Sequence, residues 1–495
     1  MRKAIAQIFS GNVVSKVLGL VREVLTAALF GTGQAIGAFR IAQTGTLSPI
    51  NFFTGDSLNA AFIPLYKSLR STSVDQAQTL FWSICGLFGV LALALGTALF
   101  LGAAPWISVL APGLEPDTAM MAVAMLKIMG LGVPFYLMSA ILMFLSMAHE
   151  DFIPMAVRPT VQNVGLIVGT IAAFWLSDFT FFAWGFTASY VAFSIWIVNR
   201  SWRAGTVALP TLWIWPQVGQ VMAAFWVTLR PLLLLPVMLQ GNIVVERAVA
   251  SLIGLVAISA LDYARFVTET LVLLLSVPVA FTGLVLWSGL DHSAIRQRLH
   301  KVILLMLIAA VPLSAFLALN AHTVVRALYE RGAFDAASVQ ITGNILFGAA
   351  LGLWAQVIAY VLIKALNAQM RNTAVLWVMS LSLGANIAFN LLMHPYLGAM
   401  TLGLGNSIYG LILLLATMTV LQLWRKNLRG LLVMAIGAAG YLVVAGQLPQ
   451  SEHLVNHLIM AGGFALVYWA VWVASVPMLR RAVTEAVAPK ARQII

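Results

Sequence analysis

Nine basic side chains, Lys16, Arg22, Arg40, Lys127, Arg158, Arg230, Arg247, Arg265 and Lys364, interrupt stretches otherwise apolar enough to cross a bilayer. A cation at the centre of a lipid-facing helix costs roughly 2.5 to 3.5 kcal/mol even on lenient insertion scales, so these groups must face protein or water. The same stretches hold five acids, Glu23, Asp56, Glu246, Asp262 and Glu269. Any interior chamber they share is net positive. Its chemistry is the holding of an anionic passenger, with no bond made or broken.

Spacing sorts these groups. Asp262, Arg265 and Glu269 follow i, i+3, i+7 and stack on one helical face. They form either a self-neutralising network or a cavity wall. Lys16 and Glu23 are also i, i+7, while Arg22 projects about 100° away from Glu23 by helical geometry. Arg40 and Asp56 belong to a second charged stretch. Glu246 beside Arg247 reads as an interfacial ion pair or, more sharply, as a coupling-ion ligand. Asn386 and Asn390, at i, i+4, offer hard oxygen ligands to such an ion, or interhelical hydrogen bonds. The seven histidines show no metal-ligand pattern, and the single cysteine, Cys85, reads as a small buried hydrophobe. No metal or organic cofactor is expected.

The elements that must carry these residues follow from composition. With 61% hydrophobic and 9% charged residues over 495 positions, the chain is an all-α polytopic membrane protein. Apolar runs predict fourteen spans, beginning near residues 5, 35, 77, 120, 154, 180, 219, 251, 300, 337, 373, 399, 429 and 455. Lys and Arg gather at alternate span ends, as at Lys67 and Arg70, Arg200 and Arg203, and Arg296, Arg298 and Lys301. Cytoplasmic loops carry that excess, so both termini are expected in the cytoplasm. Arg326 and Arg331 are the exception in an outer loop. The formal charge of +12 is thereby explained without nucleic acid, and no extramembrane segment is large enough for a soluble catalytic domain.

Two stretches echo each other. SVLAPGL (108–114) and VRALYERGAF (325–334) each precede a long helix and then a break, at 149–151 and 367–372. Six helices per half predict two lobes in the same orientation, around a central cationic cavity. The expected boundaries are 1–205 for the first lobe, 206–425 for the second, and 426–495 for two appended helices and a tail. Pro49, Pro64, Pro134, Pro231, Pro236 and Pro278 predict kinks.

Several of these motifs resemble one family. SKVLGLVREVLTAALFGTG (15–33), AAFIPLY (60–66), SVLAPGL (108–114), ALYERGAFD (327–335) and NIAFNLLM (386–393) are similar to the MurJ/MviN family of the multidrug/oligosaccharidyl-lipid/polysaccharide exporter superfamily. The resemblance implies two six-helix lobes plus an appended pair. It also implies outward flipping, by alternating access, of lipid II, an undecaprenyl-pyrophosphate-linked disaccharide-pentapeptide. Lys16 falls where the family usually has a cavity arginine, and Arg22 matches its second. Ile50 and Gly37 stand where the family has a further arginine and an acid, and Arg265 is one residue out of the family's register. These departures fit lipid II or a related undecaprenyl-linked exopolysaccharide or glycan unit.

On that reading Lys16, Arg22, Arg40 and Arg265 meet the diphosphate, Glu23 and Asp56 orient them, and Asp262 and Glu269 complete the substrate-binding set. Glu246, Asn386 and Asn390 are the candidate coupling-ion ligands. The membrane potential favours outward anion transfer by about 2.3 kcal/mol per charge per 100 mV, which leaves Na+ or H+ coupling optional. The expected setting is the bacterial inner membrane. Expected partners are the bilayer, the polyprenyl-linked saccharide and cell-envelope polysaccharide synthesis proteins. A drug antiporter of the same superfamily, the alternative, calls for an acidic cavity; a membrane glycosyltransferase calls for a large outer loop with catalytic acids.

Overall fold

The computed structural model describes residues 2–208, 215–287, 292–447 and 453–487, and within them all regular structure is helical. The chain begins with α1 (Arg2–Phe30), then α2 (Gln34–Thr54) and α3 (Asp56–Thr72), which break at Gly55. There follow α4 (Val74–Leu101), the short α5 (Ala103–Leu110), α6 (Pro116–Gly130), α7 (Val133–Ala148), α8 (Ile153–Leu176) and α9 (Phe181–Arg203). Next come α10 (Trp215–Leu229), a 3-10 turn, α11 (Leu234–Ile253), α12 (Leu255–Trp287), α13 (His292–Leu319) and the short α14 (Ala321–Tyr329). The remainder is α15 (Ala336–Ala368), α16 (Asn372–Leu397), α17 (Met400–Val420), α18 (Trp424–Ala445), α19 (Leu454–Ser475) and α20 (Pro477–Val487).

Ten helices are long and apolar enough to span a bilayer, or twelve spans if each of two bent pairs counts as one. Adding α1 and the charged α2–α3 pair brings the total close to the fourteen expected. The bent pairs are α6–α7, at 48°, and α10–α11, at 49°. Pro134 stands in the first turn of α7 and Pro231 in the 3-10 turn between α10 and α11, where a missing N–H does least harm. Pro49, Pro64 and Pro278 lie inside α2, α3 and α12. The second span breaks instead at Gly55, whose Cβ position would lie 2.8 Å from the Asn51 carbonyl oxygen, too close for any side chain.

The chain forms two compact units, Met1–Ser259 and Ala260–Ile495. In the first, α1 packs along α8, α8 along α9, and α2 against α6. Helices α10 and α11 also belong here, packing on α4 and α2, and the Gly113 N–H donates to Ser251 Oγ at 3.2 Å. The contacts therefore divide the chain beyond the 205/206 boundary that a six-plus-six count suggests. In the second unit, α15 is the hub, with α13, α14 and α17 around it, while α18, α19 and α20 attach to α13.

The internal echo seen in the sequence recurs as backbone geometry. At the first break Glu150 takes a left-handed φ of 65°, and the Asp151 N–H reaches back to Ser146 O at 2.9 Å. At the second, Met370 has φ 57° and the Arg371 N–H reaches Leu366 O at 3.0 Å. Gly205 after α9 and Gln422 after α17 repeat the turn, with Thr206 bonded to Ser201 O and Leu423 to Met418 O. This bonding satisfies carbonyls that a helix end otherwise strands. In an apolar setting that outweighs the roughly 1–2 kcal/mol a non-glycine left-handed residue costs. The outer cations are also explained locally: Arg326 pairs with Glu330 at 2.8 Å, and Arg331 donates to the Ala327 and Leu328 carbonyls at the end of α14.

Close helix approach sets the packing of α8 on α9. A Cβ at Gly169 would lie 2.6 Å from the Phe181 carbonyl oxygen and 3.0 Å from Gly185 Cα, so the two backbones touch with no side chain between them. Gly169→Leu is expected to destabilise the purified protein by about 1–3 kcal/mol or more. Gly89→Leu, where the space is open, should leave the melting temperature within a degree or two; equal melting of the two variants contradicts the contact.

His149, at the first break, is half-buried, and burial, assisted by the Arg70 and Lys67 charges, holds its pKa below the ordinary 6.5. As pH falls through 6.5 the unfolded chain gains the proton first, so stability declines toward acid. His149→Gln should flatten that decline in a melting-versus-pH series.

Candidate substrate site

The tightest charged cluster lies in the first unit and is organised by one carboxylate. Glu23 on α1 is 2% exposed. Its Oε1 accepts a hydrogen bond from Arg22 Nη2 and its Oε2 from Arg40 Nη2, so α1 and α2 are joined by an ion triad. Helical geometry aims Arg22 away from Glu23, but the arginine stem is long enough to return. Arg22 also spends a second donor: Nη1 bonds Asn163 Oδ1 on α8 at 2.9 Å. The Asn163 amide in turn donates to the Ser15 carbonyl on α1 at 2.9 Å. Both faces of α1 are thereby fixed, and Lys16, on the Glu23 face, remains half-buried.

The other cations find protein surfaces of several kinds. Arg158 on α8 sits over the Tyr136 ring, 4.4 Å from its centroid, and donates to the Tyr136 hydroxyl. That hydroxyl donates to Asn51 Oδ1 at 3.3 Å, and Tyr136 packs on Tyr190 at 4.3 Å between ring centroids. Lys127 lies over Phe100 and Lys364 over Tyr360, at 5.6 and 5.5 Å. Arg230 is exposed in the turn between α10 and α11. Glu246 and Arg247 are both buried in α11, at 3% and 4% exposure, and Arg247 Nη1 donates to the Ile258 carbonyl at 2.8 Å. Both side chains of this neighbouring pair are thus enclosed by protein.

In the second unit α12 carries Asp262 and Arg265, both half-buried, and Glu269, exposed one turn further along the same face. The rotation of that helix is set by the ALYERGAF motif. Tyr263 packs on Tyr329 and Phe334 at 5.0 and 5.5 Å between centroids, and the Tyr329 hydroxyl donates to the Tyr263 carbonyl at 3.3 Å. Ser276 Oγ, donating to the Val357 carbonyl on α15 at 3.0 Å, holds the helix lower down. Asn390 Nδ2 donates to Asn386 Oδ1 at 2.8 Å along α16, both amides buried against Gly405 of α17. Asn390 Oδ1 has no hydrogen-bond partner among the described residues. Glu246 belongs to the other unit. The side chain of Asp56 lies outside the described residues, although its backbone opens α3.

A Cβ at Gly37 would lie 2.7 Å from Leu255 Cδ1, so the two helices approach closely there, and Ile50 is fully buried. Sequence reasoning missed Asn163, Asn51 and Tyr136. A lone amide or phenol in an apolar run has no periodic signature, and only its partners on other helices give it a role.

The family model described as "Lipid II flippase MurJ" matches residues 26–470. A probable lipid II flippase MurJ of Rhizobium tropici is 28% identical over 80% of this chain and 76% of its own length. One from Synechocystis is 28% identical over 69% of this chain and 67% of its own. Among solved structures, one titled "Lipid II flippase MurJ, inward closed conformation" superposes with a TM-score of 0.82 at 21% identity, covering 94% of this chain and 97% of that one. An inward-facing MATE-family multidrug resistance transporter of the MOP superfamily gives 0.63 at 13% identity, covering 88% and 98%.

Removing Glu23 leaves the Arg22 and Arg40 guanidiniums without the carboxylate that neutralises part of their charge. Glu23→Ala is expected to destabilise by about 3–5 kcal/mol, as breaking buried pairs does. Asn163→Ala should cost less, about 1–3 kcal/mol, for the stranded hydrogen bonds. Chemical unfolding in detergent checks both, and a Glu23→Ala variant as stable as the parent removes the triad from the account.

Proposed function

Since the chain belongs to the lipid II flippase MurJ family, we propose that it carries lipid II from the inner to the outer leaflet of the bacterial inner membrane by alternating access. The observation that carries this reading is the buried Arg22–Glu23–Arg40 triad with Lys16 beside it on α1. Two guanidiniums held by one carboxylate keep a net positive charge, and a guanidinium carries five N–H donors to share among several partners. Arg suits bidentate contact with phosphate, and Lys acts as a point charge. Lys16, Arg22 and Arg40 are the diphosphate-binding groups of the first unit on this account, and Arg265 is, by itself, the anion-binding candidate of the second. Glu23 fixes the first set, and Asp262 flanks Arg265 one turn away on α12. The polyprenyl tail remains in lipid throughout.

No covalent step is involved. The work is to replace the hydration of a diphosphate and its sugars with protein donors, then to release them on the other side. Each negative charge moved out of a negative-inside cell gains about 2.3 kcal/mol per 100 mV, and the emptied cationic site returns inward with the same field. The potential therefore drives both halves of the cycle, and a Na+ or H+ bound at Glu246 or the Asn386–Asn390 pair is an addition to it. Both termini face the cytoplasm, as the distribution of Lys and Arg directs.

A drug antiporter shares the superfamily fold, but cationic drugs require acids where this chain buries arginines. Arg22→Ala and Arg265→Ala should each abolish complementation of a flippase-depleted strain, or lower it at least tenfold, with membrane insertion unchanged. Mass spectrometry of the lipid that copurifies should find a mass containing the peptide stem. Sugars without peptide would redirect the assignment to an exopolysaccharide or glycan carrier, and wild-type transport in both variants would remove the anion-binding role.

A further inference from the structure

The second unit contains an open groove of about 840 Å³ lined by α13, α19 and α20. It falls in the size range of small-molecule sites, roughly 300–1,000 Å³. Pro312 and Phe316 of α13 and Leu466 and Trp469 of α19 form its apolar wall, and Arg480 and Thr484 of α20 stand at one end. Helix α20 is fixed in place. Leu479 is fully buried, and Lys301 of α13 pairs with Glu485 at 3.2 Å. The Arg480 side chain, by contrast, has no hydrogen bond or ion pair among the described residues. Trp469 is 5% exposed, and its indole N–H, buried at the wall, has no acceptor among them either.

An apolar slot with a cation at its mouth describes an amphiphile with a negative head. We infer that this groove holds an anionic glycerophospholipid of the inner leaflet, one acyl chain along α13 and α19 and the phosphate against Arg480 and Thr484. Charge complementarity selects the occupant. Lys and Arg mark this end as cytoplasmic, where anionic lipids attract basic segments. A zwitterionic headgroup brings its own cation toward Arg480 and is disfavoured. The polyprenyl carrier brings a diphosphate and a bulky saccharide, for which one guanidinium and one hydroxyl are too little. In this position the lipid fills the space under α20 and ties the last span to α13.

The test uses the full-length protein, delipidated in detergent and titrated with dioleoylphosphatidylglycerol under native mass spectrometry, with dioleoylphosphatidylcholine and undecaprenyl phosphate as competitors. One phosphatidylglycerol per chain should survive collisional activation longest. Arg480→Ala should weaken it about fivefold, the effect of one basic residue near an anionic headgroup, and Arg480→Lys should keep most of the affinity. Ala470→Phe, which fills the groove from an exposed position, should eliminate that tight lipid while leaving the melting temperature of the delipidated protein unchanged. Should Ala470→Phe fail to fold, the Arg480 pair decides. Equal binding of phosphatidylcholine, displacement by equimolar undecaprenyl phosphate, or parental affinity in Arg480→Ala overturns the proposal.

Discussion

A charge inside a bilayer protein has to be answered within hydrogen-bonding distance, because neither lipid nor a dry helix interface offers a substitute for water. Glu23 meets that requirement for two arginines at once, and its position determines much of the first unit. The carboxylate draws α1 and α2 together, Arg22 extends the link to Asn163, and Asn163 returns it to the backbone of α1. The four groups restrain one another, so both guanidiniums are held in place. Outside this network, Lys127, Arg158 and Lys364 rest on aromatic faces and Arg247 on a carbonyl, while Arg230 is exposed.

The second unit solves a different problem, the orientation of a charged face on one long helix. Here aromatic packing does what ionic pairing does in the first. Tyr263 is locked between Tyr329 and Phe334, and because neighbouring residues on a helix differ by about 100°, fixing Tyr263 fixes where Asp262 and Arg265 can point. The ALYERGAF motif is therefore a bracket for α12; its Glu330 pairs with the preceding Arg326, and its Arg331 donates to the carbonyls at the end of α14.

Common folding devices run through both units. Four helix ends close with the same left-handed turn, at Glu150, Gly205, Met370 and Gln422, two in each unit and in corresponding places. The relation between halves is thus one of backbone geometry, with little shared side-chain identity. Local packing shapes α2 as well: Gly37 lies against the Leu255 side chain, and Ile50 is fully buried. The triad supplies an arginine, Arg40, from the same helix.

Hydropathy alone placed the spans within a few residues, since about twenty apolar residues per crossing is a length requirement that no tertiary contact can alter. Cation distribution gave the topology expected for the loops, and motif resemblance gave the family. Sequence periodicity also put Asp262, Arg265 and Glu269 on one face, a property of any α-helix. Tertiary structure alone decided which groups meet. Arg22 turned back to Glu23, Asn163 became a bridge, Glu246 and Arg247 went to the interior, and α11 joined the first unit. Such outcomes depend on long side chains choosing among partners far apart in sequence, and on the close approach of backbones at glycines. Neither leaves a periodic trace in a single chain.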